Sequence, residues 1–449
     1  MEGAFGYNGS ERFSKDNRFG FFPSLGLGWT LSNEDFYPSA LKKILPKTRF
    51  KATHGLVGND AIGTDADRFF YLSEVNLNNA GRGYTTGTEF LYTRPGVTIS
   101  RYENALITWE TATKTNLGLE LNLLSMIEIN VDVYQEYRKN ILLTRSNVPA
   151  TMGLQAIPQT NFGEASGKGL DFSMDVNSSI TKDWWLSGRV NLTYAKSKFE
   201  VYDEPDYSLT PWKTRVGQSL NQGFGLIAER LFVDDNDMKN SPAQWSDARG
   251  GDIKYKDINN DFIIDEYDQV PIGYPTVPEI VYGFGFSTGY KNFDLSCFFQ
   301  GIGRESFWIN VARTGPFTNY VMPDDYAVSQ RTQRALLKAY ADDHWSETNR
   351  NIHALWPRLS EVIINNNASP LNTWFMRNGS FLRLKSLEFG YSIPGKLTRS
   401  IKLEKVRFYF SGTNLLTFSN FKLWDPEMAG NGLGYPIQKV YNFGIQVSL

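Results

Sequence analysis

The chain has 449 residues, with 46 Lys and Arg against 48 Asp and Glu, so its net charge is close to zero. No run of one sign is long enough to form a nucleic-acid site or a polybasic membrane patch. The single Cys297 excludes an internal disulfide and a thiolate metal cluster, and His54, His344 and His353 lack the i, i+4 spacing of a metal-binding helix.

The opening MEGAFGYNGSERF has neither a basic n-region nor an apolar h-region, so no signal peptide is expected in it. No segment approaches the roughly 18 to 20 consecutive apolar residues of a transmembrane helix. Alternation with a period of two residues dominates instead. Strands are expected near 1–9, 19–31, 48–58 and 107–123. In the next, 126–142, Ile127, Ile129, Val131 and Val133 oppose Glu128, Asn130, Asp132 and Tyr134. In 162–180, Leu170, Phe172, Met174 and Val176 oppose Asp171, Ser173, Asp175 and Asn177. In 184–202, Trp184, Leu186, Val190, Leu192 and Tyr194 oppose Ser187, Arg189, Asn191 and Thr193. Strands near 279–291 and 294–310 follow, and in the second Cys297 alternates with Phe293, Leu295 and Phe299 as a small apolar side chain. The last three fall near 381–393, 405–418 and 439–449.

Alternation alone fits a soluble sandwich as well as a barrel. The connections separate them. Leu124–Ser125, Thr181–Asp183, Asn292–Phe293 and the modest linkers 32–47 and 394–404 lie on one side, with 59–106, 143–161, 203–278, 311–380 and 419–438 on the other. Short turns at one end and long loops at the other characterise an outer-membrane barrel, apolar outside and polar inside. The aromatic content of 14% suits the two interfacial girdles of such a barrel. The expected fold is all-β: residues 1–449 form the antiparallel transmembrane β-barrel portion of about twelve strands, with long extracellular loops.

Two loops carry local signals. Within 203–278, DINNDFIIDEYD places oxygen ligands at the positions of an EF-hand calcium loop. Asp257, Asn259 and Asp261 would offer side-chain oxygens, Ile263 its carbonyl, Asp265 a direct or water-bridged contact and Asp268 the closing carboxylate. Position six, usually Gly, is Phe262, so an Asx-rich turn capping its own backbone competes with calcium. Within 311–380, residues 325–345 are expected to be helical, with Leu336, Ala339 and Tyr340 opposite Arg331, Arg334 and Lys338. That helix either lines the mouth or covers the loop's own core. Trp308, Tyr320, Trp345, Trp356 and Trp374 either stack on sugar rings or pack the loop. No nucleophile elbow, phosphate-binding Gly loop or zinc signature marks an enzyme.

Several longer stretches go beyond pattern. GDIKYKDINNDFIIDEYDQVPIG followed by YGFGFSTGYKNFDLSCFFQGIG resembles a hallmark region of SusC/RagA-type TonB-dependent transporters. So do SFLRLKSLEFGYSIPGKL, VRFYFSGTNLLTFSNFKLWDPEM and the ending GYPIQKVYNFGIQVSL, while RFSKDNRFGFFPSLGLGWTLSNEDF is similar to the family's mid-barrel. The resemblance implies a nutrient importer in the outer membrane of a Bacteroidota-type bacterium. Its barrel would have roughly 22 strands around a plug, and the plug would be pulled by the TonB complex. A SusD-like lipoprotein would lid the mouth, and the cargo would be an oligosaccharide or a peptide. On this reading the chain supplies the C-terminal part of the barrel, with the plug, TonB box and signal peptide expected outside it. Two other readings stay open: a self-closing passive pore of twelve strands and a soluble β-rich carbohydrate-binding protein.

Overall fold

The computed structural model describes residues 1–64, 67–317, 335–369, 371–400 and 402–448. Twelve strands form one antiparallel sheet. They are β1 (Glu2–Gly9), β2 (Phe19–Thr30), β3 (Lys47–Asn59), β4 (Glu110–Leu123), β5 (Ile127–Thr144) and β6 (Gln159–Thr181), followed by β7 (Trp184–Val201), β8 (Ile280–Tyr290), β9 (Phe293–Gly303), β10 (Phe381–Ser392), β11 (Lys405–Ser419) and β12 (Val440–Ser448). Each strand pairs with its neighbour in the sequence, so β1 and β12 form the two edges and are not paired with one another. The self-closed pore is therefore not the arrangement this chain adopts.

The register explains the alternation. Ile129, Met174, Val190, Phe284 and Phe299 are successive partners across β5 to β9, an unbroken apolar row. One residue on, Asn130, Ser173, Asn191, Gly283 and Gln300 form the parallel polar row. Because side chains point to opposite faces in turn, a one-residue slip would exchange the two faces over the whole sheet. The apolar face is not packed against protein: Leu117 is 59% exposed, Ile445 62% and Phe443 83%. Exposed apolar surface of this extent calls for lipid. No helix among the described residues is long and apolar enough to cross a membrane; the strands do so.

Salt bridges line the polar face. Lys47 and Lys51 each reach Glu120 at 3.0 Å, Arg138 reaches Glu110 at 2.9 Å, and Arg407 bridges Asp294 and Glu388. Cys297 sits in the outward set, between Phe286 and Leu387.

The two ends differ as the connection lengths imply. At the short-turn end, β4 and β5 are joined through Leu124 and Ser125, both at positive φ (54° and 59°). The Met126 amide donates to the Leu123 carbonyl at 3.0 Å, closing a primed turn whose twist matches its strands. At the other end two expected strands are shorter than the sequence suggests. Ile107 and Trp109 turn away before β4 to pack with Phe13, Phe22, Ile62 and Phe70 in a small core. β9 stops at Gly303, because Arg304 takes a positive φ of 57°, and Ser306–Trp308 pairs with Met376–Asn378 instead. An unanticipated hairpin, Glu74–Thr86 with Tyr92–Arg101, also rises from this end.

A charge placed on the lipid face should cost far more than one on the lumen face. Phe172→Arg is expected to lose about 2–4 kcal/mol, whereas Ser173→Arg should stay within about 0.5 kcal/mol. Urea-dependent folding of the full-length barrel into bilayers measures both, and equal losses would refute the assignment of faces.

Candidate functional site

The long connections do not hang as separate loops. Leu226, Leu231, Ile253 and Tyr255 from 203–278 pack with Phe307, Ile309, Tyr340, Trp345, Trp356 and Phe375, and Phe421 joins them from the last connection. This core caps one end of the barrel wall. A separate lumen-side cavity of about 470 Å³ lies where the β5–β7 wall meets Pro275 and Leu220. Its wall is smooth because Ala165, Gly167 and Ala195 stand on the inward positions.

A buried polar network holds the cap together. Asp252 is fully buried and accepts hydrogen bonds from Arg358 Nε at 3.0 Å, Asn367 Nδ2 at 2.8 Å and the Arg249 amide at 2.9 Å. Asn366 Nδ2 donates to the Ile253 carbonyl at 2.8 Å, and the Tyr255 hydroxyl donates to the Asn366 carbonyl at 2.7 Å. Burial pushes the Asp252 carboxyl up to about 6 despite the opposing pull of Arg358 and Asn367. The same desolvation pushes the Tyr255 hydroxyl well above the ordinary phenol range. A second tie runs from the barrel wall: buried Arg383 on β10 donates from Nη2 to Asp425 and lies 2.9 Å from Glu427.

The six residues of the calcium-like spacing lie together in 257–268, and the side-chain oxygens of Asp257, Asn259, Asp261, Asp265 and Asp268 accept amides of the loop itself. Asp257 accepts the amides of Asn260 at 2.7 Å and Phe262 at 2.8 Å, Asn259 accepts that of Asp261, and Asp261 that of Ile263. Asp265 caps Tyr267 at 2.7 Å, and fully buried Asp268 accepts Ile258 at 2.7 Å and Asp265 at 3.0 Å. Phe262 adopts the left-handed φ of 65° that position six requires, with its side chain exposed. The donors have the right chemistry for calcium. Yet among the described residues no three acidic, His or Cys side chains converge around one point. These bonds are those of Asx turns, formed by the same residues that the calcium spacing names.

Of the expected 325–345 helix, residues up to 334, including Arg331 and Arg334, lie outside the described residues. The described part is helical over Lys338–Asp342. There Tyr340 is fully buried and stacks on Trp356 at 4.0 Å, so this turn covers the loop core. Trp345 and Trp356 are buried, and Trp308 spends its indole N–H on the Asn372 carbonyl at 2.9 Å. Trp374 packs against the same core, and Tyr320 lies outside the described residues.

Residues 3–415 match the model of the TonB dependent receptor-like β-barrel. The chain belongs to this family. TonB-dependent receptor P3 of Formosa agariphila is 26% identical over 433 residues, covering 94% of this chain and 39% of the relative. TonB-dependent receptor SusC of Bacteroides thetaiotaomicron is 26% identical over 461 residues, covering 99% of this chain and 41% of the relative. The chain thus spans about two fifths of their length. Among solved structures, the RagAB peptide importer in its "closed-closed" state superimposes with a TM-score of 0.68 at 22% identity, covering 99% of this chain and 45% of that one. This chain is thus an outer-membrane β-barrel portion of the TonB-dependent receptor family.

Two outcomes follow for the cap. Folded Asp252 holds its proton to a higher pH than the unfolded chain does, so protonation favours the folded cap. Between pH 7 and pH 5 this group should add about 1 kcal/mol, read as slower hydrogen exchange at Ile253, and Asp252→Asn should flatten that dependence. For 257–268, Asp268→Ala strips the buried acceptor from two amides, at about 1–3 kcal/mol for each left without a partner, and should speed exchange there. Millimolar calcium or a chelator should leave the wild-type exchange unchanged; a calcium-dependent slowing would show that the oxygens regroup around an ion.

Proposed function

We propose that this receptor barrel forms the C-terminal part of a TonB-dependent importer, with the folded cap on the extracellular side. It would take up an oligosaccharide or a peptide together with a SusD-like lipoprotein. The observation that carries this reading is the pairing of a polar, salt-bridged inner wall with a folded cap that, among the described residues, stands at one end. A lumen lined by charged and amide groups suits a hydrated cargo, and a loop cap with its own core can hold a fixed recognition surface above it. Both edges of the sheet present a full ladder of unpaired backbone groups, which hydrocarbon does not tolerate. Closure therefore requires further strands between β1 and β12, in keeping with relatives more than twice as long. Energised opening would then act through a plug in the TonB-coupled portion. The RagAB relative, described as a peptide importer, supports a peptide cargo, and the name SusC on another relative supports the same transporter class.

The soluble carbohydrate-binding reading requires the outward face to meet water. Its exposed Phe443, Ile445 and Leu117 oppose that, as does the family match.

The test uses cells carrying the full-length receptor and fluorescent oligosaccharides and peptides of matched size. Uptake of one class should depend on the receptor and collapse with a protonophore. Uptake that survives both deletion and protonophore would overturn the proposal. Gly167→Trp gives a finer check, because a Cβ at Gly167 meets nothing within 4 Å and the residue faces the lumen cavity. The variant should fold normally and lower uptake severalfold.

A further inference from the structure

We propose that Lys168 on β6 and Lys196 on β7 bind the phosphate group of an outer-leaflet glycolipid. The two lysines are directly opposed partners on adjacent strands. Both belong to the outward set, two residues beyond Leu170 and Tyr194, which are themselves partners on the apolar face. Lys168 in turn faces Gln135 on β5, Gln135 faces Thr115, and Thr115 faces His54, so a polar row follows the upper margin of the apolar band. On β7 that band runs from Trp184 to Tyr194, the length a tilted strand of ~9–11 residues needs to cross hydrocarbon. The lysines therefore stand at headgroup level, where their stems can lie along the apolar surface while the ammonium groups reach outward.

Two like charges facing each other across a strand pair are destabilising unless an anion joins them. Among the described residues neither ammonium has a carboxylate partner, and both side chains are exposed. The contrast with their neighbours is local: Lys198 lies 2.9 Å from Glu200, and Lys114 on the inner face 3.4 Å from Glu136. Nor is a basic outward margin general to the sheet, since the outward positions of β8, β9 and β12 carry no charged residue. A phosphate between Lys168 and Lys196 would neutralise both and accept from the Gln135 amide. Acyl chains of the same molecule would lie on Val133, Leu170 and Tyr194. That continuity between a cationic pair and an acyl-binding surface favours a lipid over a dissolved anion. The inference rests on the orientation proposed above, which places this margin in the outer leaflet.

The test uses the full-length receptor in detergent, titrated with phosphorylated lipid A, the same lipid with its phosphate removed, and inorganic phosphate, with bound lipid read by native mass spectrometry. Phosphorylated lipid A should bind, and K168Q/K196Q should weaken it about 30-fold. K168R/K196R should retain binding, and the dephosphorylated lipid should bind wild type no better than the Gln pair binds the phosphorylated one. Equal affinity of wild type and K168Q/K196Q would overturn the proposal. So would competition by inorganic phosphate at matched concentration, which would make this a solvent phosphate site. Heat-modifiable gel mobility confirms folding of each variant, and if the double Gln variant fails it, K196Q is read alone for a partial loss. Uptake is measured in parallel: lost uptake with intact lipid binding would count against the transport reading only.

Discussion

A backbone amide or carbonyl in hydrocarbon has no water to turn to, and every other feature of this chain depends on that constraint. It forces each crossing segment into a strand paired on both sides. It also forces the outward side chains to be apolar while leaving the inward ones free to be polar. The row Ile129–Met174–Val190–Phe284–Phe299 and its neighbour Asn130–Ser173–Asn191–Gly283–Gln300 show the result. The same constraint means that β1 and β12 as edges cannot be left bare in a membrane. The longer relatives supply a physical answer, because further strands would complete the ladder at both edges.

The cap answers a different problem. Long connections at the mouth sit in water, where an isolated hairpin is marginal and a loop gains order only by burying its own surface. The 203–278 and 311–380 segments do so jointly, around Tyr255, Tyr340 and Trp356. Asp252 and Arg358 show why polar groups are needed in that core: the segments present many backbone groups that no sheet pairs, and side-chain amides such as Asn366 and Asn367 take them up. Keeping a carboxylate there is costly, as its raised proton affinity records. Bonds from three donors are what make it tolerable.

Legibility in the sequence followed the reach of each interaction. The barrel strands were readable because lipid enforces a period of two over ten or more residues, and two of them end short of the expected bounds where local packing intervened, as at Trp109 and Arg304. The Glu74–Thr86 and Tyr92–Arg101 hairpin escaped notice because it stands in water on both faces and so carries no alternation. The oxygen spacing of 257–268 was plain, but spacing does not reveal which way an oxygen turns, and here the carboxylates and the Asn259 amide oxygen turn to nearby backbone amides. The Asn366 and Asn367 contacts were invisible for a simpler reason: their partners at Ile253 and Asp252 lie more than a hundred residues away.

Lys168 and Lys196 illustrate the last step from pattern to chemistry. In the sequence each is an ordinary lysine near the end of a strand, and nothing connects them. The register of β6 on β7 makes them opposites, and the apolar row just below fixes their depth. A charge at that depth has two outlets, water above or a lipid headgroup beside it. Single lysines at barrel margins need only the first. Two that face each other without a carboxylate between them gain from an anion held at fixed distance from the hydrocarbon, and among the anions near an outer membrane, a lipid phosphate alone comes tethered there by its own acyl chains.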